Sequence, residues 1–316
     1  MFFNRPDVLE RSFAEIRAAR PSRLYLHQDG PRPSRPDDLA NISRCREIVS
    51  CIDWECEVHK RYQESNIGCG PAQFYAERWM FSHEDAGIVL EDDVLPSASF
   101  FRYCAELLDR YRCDTRIDRI CGMNNLGTWQ SADSDYFYAT TGSIVGWASW
   151  RRVVAAWDAT YDWLDDNRSL QLAEDFACNR RAFRAAVDRA KQRRVIGQPF
   201  HETAGGFAQW LNSRLLVVPT RNMVTIIGQT SEASHGPEDI RMLPRRTRHL
   251  FDMERHELDF PLKHPRYVLR DSAYERAMTS TVLQNRLARM EGVLLTLRYG
   301  GLRALRDRVR RRLRRR

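Results

Sequence analysis

Three consecutive carboxylates, Glu91-Asp92-Asp93, directly follow a short apolar run at residues 87–90. Such a run is typical of a buried parallel strand, and open α/β sheets bind ligands beyond the carboxyl ends of their strands. Adjacent like charges raise one another's pKa, and a divalent cation relieves that repulsion. Hard oxygen ligands suit Mg²⁺ or Mn²⁺ beside a diphosphate, where the metal neutralises charge on a departing nucleoside diphosphate. The alternative is that these residues cap the next element or face solvent.

The elements that must position these carboxylates alternate between strand-like and helix-like patterns in the first half of the chain. This alternation is typical of an α/β fold with an open, mostly parallel sheet flanked by helices. Predicted helices cover residues 8–16, 38–50, 74–81, 100–108 and 151–194, and predicted strands cover 24–26, 56–62, 87–90, 117–123 and 215–219. Residues 124–150 and 222–236 are predicted to be loops and short strands, because they are rich in glycine and small polar residues.

The acidic metal motif of GT-A glycosyltransferases resembles the run Gly87-Ile88-Val89-Leu90-Glu91-Asp92-Asp93-Val94-Leu95-Pro96 followed by Phe100-Phe101. The likeness is strongest to bacterial family 2-like enzymes and to animal N-acetylglucosaminyltransferase I. Loops of this family are similar, in the same order, to Asn4-Arg5-Pro6, Asp29-Gly30-Pro31-Arg32, Asn66-Ile67-Gly68-Cys69, Gly146-Trp147-Ala148-Ser149-Trp150-Arg151-Arg152 and the stretch from Asn222 to His235. The resemblance covers roughly residues 2–236 and implies a Rossmann-like GT-A fold.

The resemblance also implies what the acidic residues bind. Asp93 would hold Mg²⁺ or Mn²⁺, and Glu91 and Asp92 would contact the ribose or the donor sugar. His235 would complete the metal shell or touch a phosphate, although a lone histidine more often does neither.

The donor loops carry the remaining residues that the resemblance assigns to the nucleotide-sugar. Asn4 and Arg5 belong to the first nucleotide-facing loop, and Asn66 and Gly68 lie beside the donor. Asp29 would read the base, since a carboxylate accepts from an imide N–H or a ribose hydroxyl. A plain Asp-Gly turn is the alternative for Asp29.

Residues flanking the sugar and the acceptor are predicted next to the late glycine-rich segment. Trp147 and Trp150 would form an apolar platform for a sugar face, or else belong to the core. Arg151 would steer an anionic acceptor, or else mark the solvated start of a helix.

The catalytic base is where this sequence departs from the family. An inverting transferase needs a carboxylate within hydrogen-bond reach of the acceptor hydroxyl. Relatives carry Trp-Asp-x-Gln-Trp before the late strand, and alignment on Gln209-Trp210 puts Phe207 at the position of that aspartate. Glu202 is the nearest carboxylate in sequence and is the substitute that we consider. The family also begins with a full buried strand, of which only Met1-Phe2-Phe3 is present; either the start codon is assigned late or that strand is shortened.

The net charge of +8 is concentrated at one end of the chain. The segment from Arg298 to Arg316 holds ten arginines and one aspartate, which leaves 40 basic and 41 acidic residues elsewhere. A nearly neutral body disfavours a nucleic-acid-binding domain. In the tail, Leu302, Leu305, Val309 and Leu313 recur at helical spacing among arginines, which predicts a basic amphipathic helix suited to an anionic membrane surface. A solvated tail and an RNA-binding tail are the alternatives.

The cysteines and the N-terminus favour the cytoplasm. The eight cysteines include no C-x-x-C pair and no zinc-ligand spacing, which favours reduced, packed thiols. No signal-peptide order and no apolar stretch of membrane-spanning length is present. We therefore expect a cytoplasmic protein that is peripheral on the inner face of the plasma membrane.

The sequence predicts a GT-A domain over residues 1–240, with a nucleotide-sugar half at 1–125 and an acceptor half at 126–240. A C-terminal helical extension at 241–297 and the basic tail at 298–316 follow. The predicted activity is metal-dependent transfer of a sugar from a nucleoside-diphosphate sugar to a hydroxyl of a glycan or lipid-linked acceptor. One alternative is a homologue that binds the donor without catalysis, because it lacks the base. Another is a sugar nucleotidyltransferase, which Asn4-Arg5-Pro6 disfavours because it is not a glycine-rich phosphate loop.

Overall fold

The computed structural model describes residues 1–130, 133–227, 240–282 and 286–313. The helices within these residues are α1 (Pro6–Ala19), α2 (Asp37–Ser50), α3 (Cys69–His83), α4 (Ala98–Arg110), α5 (Arg151–Val154), α6 (Asn167–Phe176), α7 (Arg180–Ile196), α8 (His201–Leu211), α9 (Arg245–Arg248), α10 (Ser272–Val282) and α11 (Arg286–Leu313). The strands are β1 (Arg23–Gln28), β2 (Glu57–Tyr62), β3 (Ala86–Val89), β4 (Val94–Pro96), β5 (Ile117–Cys121), β6 (Tyr136–Ala139), β7 (Trp147–Trp150), β8 (Leu215–Pro219) and β9 (Val224–Ile226).

The strands form one five-stranded sheet and two smaller pairs. The large sheet has the order β3-β7-β5-β8-β6, β1 pairs with β2, and β4 pairs with β9. The predicted α/β class with an open sheet is confirmed. The prediction of a mostly parallel sheet is wrong for the large sheet, because only β5 and β8 pair in parallel and the other three pairs are antiparallel.

The antiparallel pairs have a local cause. A parallel pair needs a long crossover, usually through a helix, whereas antiparallel strands need only a turn. The described residues between β5 and β7 contain no helix. Strand β7 therefore runs antiparallel to β5. Strands from both predicted halves of the 1–240 domain share this one sheet.

The main core lies between α4 and the large sheet. Apolar residues of α4 recur every three or four positions, so that Phe100, Tyr103, Cys104 and Leu107 all lie on its buried face. They pack with the interior residues of β5, β6 and β8 in one cluster. Ile88 of β3 and Leu90, which follows the strand, pack against the same cluster.

The helical half differs from its prediction in detail. The predicted continuous helix over residues 151–194 is three helices, α5, α6 and α7. Tyr161, with a positive φ of 61°, lies in the break between α5 and α6, and the extended residues Ala177 and Asn179 separate α6 from α7. Past residue 240 the described residues contain α9, α10 and α11; α11 begins in the predicted C-terminal extension and continues into the predicted tail, with a break in its helical geometry at Gly301. All eight cysteines are free thiols. Among the described residues, no helix combines the length and the apolar character needed to cross a bilayer.

Candidate functional site around the acidic turn

The three carboxylates lie where the sequence predicts, at the carboxyl end of β3. The strand ends at Val89, and a turn closed by the Val94 N–H donating to the Glu91 carbonyl oxygen at 3.2 Å leads into β4. Apolar residues suit the packed strand β3, whereas consecutive carboxylates in a strand would place unpaired charge on both of its faces. The turn therefore begins where the polar run begins.

Arg5 joins two of these carboxylates. Its guanidinium donates to Asp92 and lies 3.2 Å from Asp93 Oδ2, and the Phe3 N–H donates to Asp92 Oδ2 at 3.3 Å. Burial opposes the charge on Arg5, but the two aspartates raise its pKa overall. Burial is also the main reason that the pKa of Asp93 is raised, and the charge of Asp92 adds to it while Arg5 opposes it. The structure thus brings together Arg5, Asp92 and Asp93.

Glu91 has a different environment from its two neighbours. Its Oε2 accepts from Gln73 Nε2 at 2.6 Å. Burial, followed by the charge of Asp93, raises the pKa of Glu91 to about 7. Glu91 therefore exchanges its proton near neutral pH, which sets it apart from ordinary surface carboxylates.

Glu77 and His201 form a buried pair beside this turn that the sequence reasoning missed. His201 Nδ1 lies 3.0 Å from Glu77 Oε1, and both side chains are almost fully buried. Burial opposes protonation of His201, but Glu77 raises its pKa overall, and the charges of Glu202 and Glu91 add to this effect. A signal was available for Glu77, because it occupies the helical stripe between the buried residues Phe74 and Phe81. Nothing local marks His201.

The first turn of α3 also lies next to the acidic groups. Burial raises the pKa of the Cys69 thiol to about 12, and the charges of Glu91, Glu202, Asp92 and Asp93 reinforce the shift. These carboxylates thus lie within electrostatic range of one helix N-terminus, the end that attracts anions. Glu202, the predicted substitute base, also pairs with Arg193 at 2.9 Å.

Asp29 anchors the loop that contains Asn66 and Gly68. Its Oδ1 accepts from the N–H groups of Gly30 and Ile67, and its Oδ2 accepts from Gly68 N–H and Asn66 Nδ2, all at 2.9–3.0 Å. Burial raises the pKa of Asp29, although these backbone donors favour its charged form. A Cβ on Gly30 would lie 2.4 Å from the Ser65 carbonyl carbon, so the approach of the two loops requires glycine. The predicted donor residues Asp29, Asn66 and Gly68 therefore meet as one unit.

Asn4 lies in a second network that fixes the first loop. Its Nδ2 donates to Asp38 Oδ1 at 2.7 Å. Asp38 also receives two bonds from the Arg32 guanidinium and one from the Arg32 N–H. The bonds from Arg32 lower the pKa of Asp38 to about 2. Asn4 thus holds the loop of Arg5 to the segment after β1.

The residues predicted to contact the sugar and the acceptor lie elsewhere. Trp147 and Trp150 are 2% and 3% exposed, so of the two alternatives the structure supports the core. Trp150 Nε1 donates to the Leu108 carbonyl oxygen at 3.2 Å, and the Trp147 ring stacks on Phe81. Both faces of β7 are covered, which is why strand alternation does not leave an indole free.

Arg151 is at the wrong end of β3 for a role beside the acidic turn. It follows Trp150, which pairs with Ala86 at the first position of β3. Its guanidinium donates to the Phe81 carbonyl oxygen at 2.9 Å and pairs with Asp85 at 3.2 Å. The arginine therefore ties α5 to the end of α3, and its predicted role in binding the acceptor is not supported by this position.

The predicted base position is inside an apolar cluster. Phe207 is 1% exposed and stacks on Trp163 with ring centroids 3.7 Å apart. Phe183 and Trp210 complete this cluster, which contains none of the predicted site residues. A carboxylate at position 207 would have to be buried there without a partner. His235, the second predicted metal residue, lies outside the described residues.

The acidic turn has a partly exposed carboxylate, that of Asp93. Among the described residues, no group of three or more His, Cys, Asp and Glu side chains is arranged to hold a metal. Mg²⁺ usually binds one or two carboxylates and takes its other ligands from phosphates and water. The Asp93 side chain is 21% exposed and can serve as such a ligand. Compared with family models and with curated proteins, the sequence matches none.

Proposed function

We propose that the chain is a metal-dependent glycosyltransferase that moves a sugar from a nucleoside-diphosphate sugar to a hydroxyl of a glycan or lipid-linked acceptor. The main support is the meeting of Arg5, Asp92 and Asp93 at the carboxyl end of β3, beside the N-terminus of α3. The Asp93 carboxylate is available to a cation, and the Arg5 guanidinium and the N-terminus of α3 are available to phosphate oxygens. The resemblance to GT-A enzymes supports the same assignment.

Different residues would bind different parts of the donor. Asp93 would hold Mg²⁺ or Mn²⁺, which neutralises charge on the departing diphosphate. Arg5 and the first N–H groups of α3 would bind phosphate oxygens. Asp92 orients Arg5 through its bond to the guanidinium. The loop that Asp29 anchors would form the side of the pocket next to the nucleotide.

Deprotonation of the acceptor would need a carboxylate that is not in the core. Glu202 side-chain atoms are 42% exposed, and its charge acts on the same Cys69 thiol as the acidic turn. It is therefore the candidate base in place of Phe207. The alternative function, donor binding without turnover, is favoured by the burial of position 207.

A thermal-shift screen of nucleoside diphosphates and nucleotide-sugars, with and without Mn²⁺, tests the donor site. A ligand that binds only the native state stabilises it by about 2.7 kcal/mol at 100 times its Kd, and this stabilisation raises Tm. We expect a metal-dependent shift with one nucleotide that is lost in Asp93→Ala. The matched control is Asp85→Ala, because Asp85 precedes the same strand and its side chain is 94% exposed.

The outcomes separate the two functions. No shift with any nucleotide in a well-folded protein would reject both of them. A shift that Asp93→Ala abolishes, together with sugar transfer that Glu202→Gln abolishes, would support the enzyme. A shift without hydrolysis or transfer of any donor would support the binding protein.

We further propose that α11 docks this enzyme on an anionic membrane surface. Met290, Val293, Leu294 and Leu297 lie on one exposed face of α11, and Met290 and Leu294 are 62% and 65% exposed. The arginine-rich segment follows a break in the helix at Gly301 (φ 67°), and Leu302, directly after the break, is 74% exposed; the side chains of Val309 and Leu313 lie outside the described residues. Apolar side chains at helical spacing beside arginines fit acyl chains beside anionic headgroups.

Co-sedimentation with anionic and neutral liposomes tests this docking. We expect pelleting with anionic vesicles only, and loss of pelleting in Leu294→Ser and after removal of residues 298–316. Leu172→Ser is the matched control, since Leu172 is 54% exposed on α6. Equal pelleting of all proteins would reject the proposal, and retention on RNA without pelleting would favour the nucleic-acid alternative.

A further inference from the structure

The first turn of α8 is tied to α3 by the buried pair of Glu77 and His201. His201 is the first residue of α8, and Glu202 is the second. His201 Nδ1 lies 3.0 Å from Glu77 Oε1 of α3, and the two side chains are 3% and 1% exposed. The pair joins residues that are 124 positions apart in the chain. Helix α8 therefore begins at a fixed point on α3, one residue before Glu202.

Phe200 makes a second contact between the same two helices. A Cβ on Gly70 would lie 2.1 Å from Phe200 Cδ1, so the ring occupies the space that a side chain at position 70 would need. Gly70 is the second residue of α3, next to Cys69. The Phe200 N–H donates to the Tyr161 hydroxyl oxygen at 2.8 Å, which fixes the backbone just before α8. The start of α8 therefore packs on the first turn of α3.

Arg193 of α7 restrains the side chain of Glu202 itself. Its Nη2 lies 2.9 Å from Glu202 Oε2, and its Nη1 donates to Thr203 Oγ1. The guanidinium carbon also lies 4.1 Å from the centroid of the Phe200 ring. The Glu202 side chain is nevertheless 42% exposed, so an acceptor hydroxyl can reach its carboxylate.

We propose that Glu77 and His201 are positioning residues, which hold Glu202 within reach of an acceptor bound beside the acidic turn. This inference rests on the proposed function, in which Glu202 is the base. The charges of Glu202 and Glu91 both act on His201, so the imidazole is in electrostatic range of the base and of the acidic turn. A base must lie within hydrogen-bond reach of the proton it removes, and a displacement of about 1 Å can slow a reaction about 100-fold.

A directional contact suits this role better than an apolar one. Apolar packing is non-directional, so it would allow the start of α8 to shift along α3. A hydrogen-bonded pair specifies one register of the two helices. Stability alone explains the pair poorly, because removal of two charged groups from water costs much of what their attraction returns. Apolar residues of similar volume are often at least as stabilising at such a place.

The test uses the double variant Glu77→Met/His201→Leu, which removes the polar contact without leaving an unpaired buried charge. We expect kcat for sugar transfer to fall about tenfold or more. The KM for the donor and the nucleotide-dependent Tm shift should stay close to those of wild type, because the donor site is intact. The Thr203 and Ala204 amides, which donate to the Phe200 carbonyl oxygen at 3.1 and 3.0 Å, should exchange about fivefold faster.

Two further variants separate positioning from general stability and from charge. Gln209→Ala is the matched control, because Gln209 is a buried polar residue near the other end of α8. Its side-chain amide donates to the Thr140 and Arg214 carbonyl oxygens at 3.0 and 3.2 Å, and its loss should leave kcat close to wild type. Glu77→Gln keeps an oxygen that accepts from His201, so it should retain most of kcat.

Equal kcat and equal amide exchange in wild type and the double variant would overturn this inference and leave Glu202 as the base. Loss of the nucleotide-dependent Tm shift in the double variant would also overturn it, because the pair would then act on the donor site. The same holds if Gln209→Ala or Glu77→Gln loses as much kcat as the double variant, since general stability or charge would then be the cause. Absence of transfer by wild type would reject the proposed function, and this role with it.

Discussion

Replacement of Asp29 by alanine tests whether its carboxylate builds the nucleotide-side loop. The side chain accepts four hydrogen bonds from Gly30, Ile67, Gly68 and Asn66, three of them from backbone N–H groups. In Asp29→Ala these donors lose their acceptor in a buried place, where one unsatisfied group costs about 1–3 kcal/mol. Water can reach part of the vacated volume, so the costs do not add fully. We expect a loss of about 3 kcal/mol in the free energy of unfolding.

The assay is urea unfolding followed by tryptophan fluorescence and circular dichroism. The matched control is Asp53→Ala, which removes an ion pair with Arg17 in which both side chains are 51% exposed. An exposed pair of this kind contributes little to stability, because water and salt screen it. Asp29→Ala should therefore be clearly less stable than Asp53→Ala.

Nucleotide binding gives the second readout for the same variant. If the loop forms one side of the donor pocket, Asp29→Ala should also lose the nucleotide-dependent Tm shift. Equal free energies of unfolding for the two alanine variants would refute the hydrogen-bond reasoning. If Asp29→Ala is destabilised but its nucleotide-dependent Tm shift is unchanged, Asp29 anchors the loop and the loop is not part of the donor site.

Three further predictions concern the buried pair and the core aromatics. Because the pKa of His201 is raised, its contribution to stability is present below pH 6.5 and is lost as pH rises through the raised value. The Tm difference between wild type and His201→Gln should therefore shrink from pH 6 to pH 9; a constant difference would contradict this. Phe207→Asp should lose about 4 kcal/mol or more, because it buries a carboxylate in an aromatic cluster, and should not increase sugar transfer above that of wild type. A stable variant with new activity would show that position 207 reaches the acceptor. Trp150→Phe should lose about 1 kcal/mol with its bond to Leu108. The Tm shift caused by nucleotide-sugar should equal that of wild type. A smaller shift would indicate that Trp150 contacts the sugar.

Local patterns in the sequence predicted much of the first half of the fold. The apolar run before Glu91 predicted a buried strand, and β3 ends at Val89, one residue before that run does. The helical stripe at Phe100, Cys104 and Leu107 predicted α4. Such elements could be predicted because periodicity and the position of the first polar residues are properties of neighbouring residues. The direction of β7 could not, because it depends on which distant strand it pairs with.

The candidate site divides in the same way. The sequence by itself determined that three consecutive carboxylates follow a strand, and it predicted loops at Asp29-Gly30 and at Asn66-Ile67-Gly68. Only the tertiary structure decided that Arg5 bridges Asp92 and Asp93 across 87 residues, and that His201 meets Glu77 across 124. Tertiary packing also places Trp147 in the core, although an indole side chain could equally well form a platform for a sugar. The physical reason is that the burial and charge partners of a side chain are set by residues far away in sequence, which no local spacing encodes.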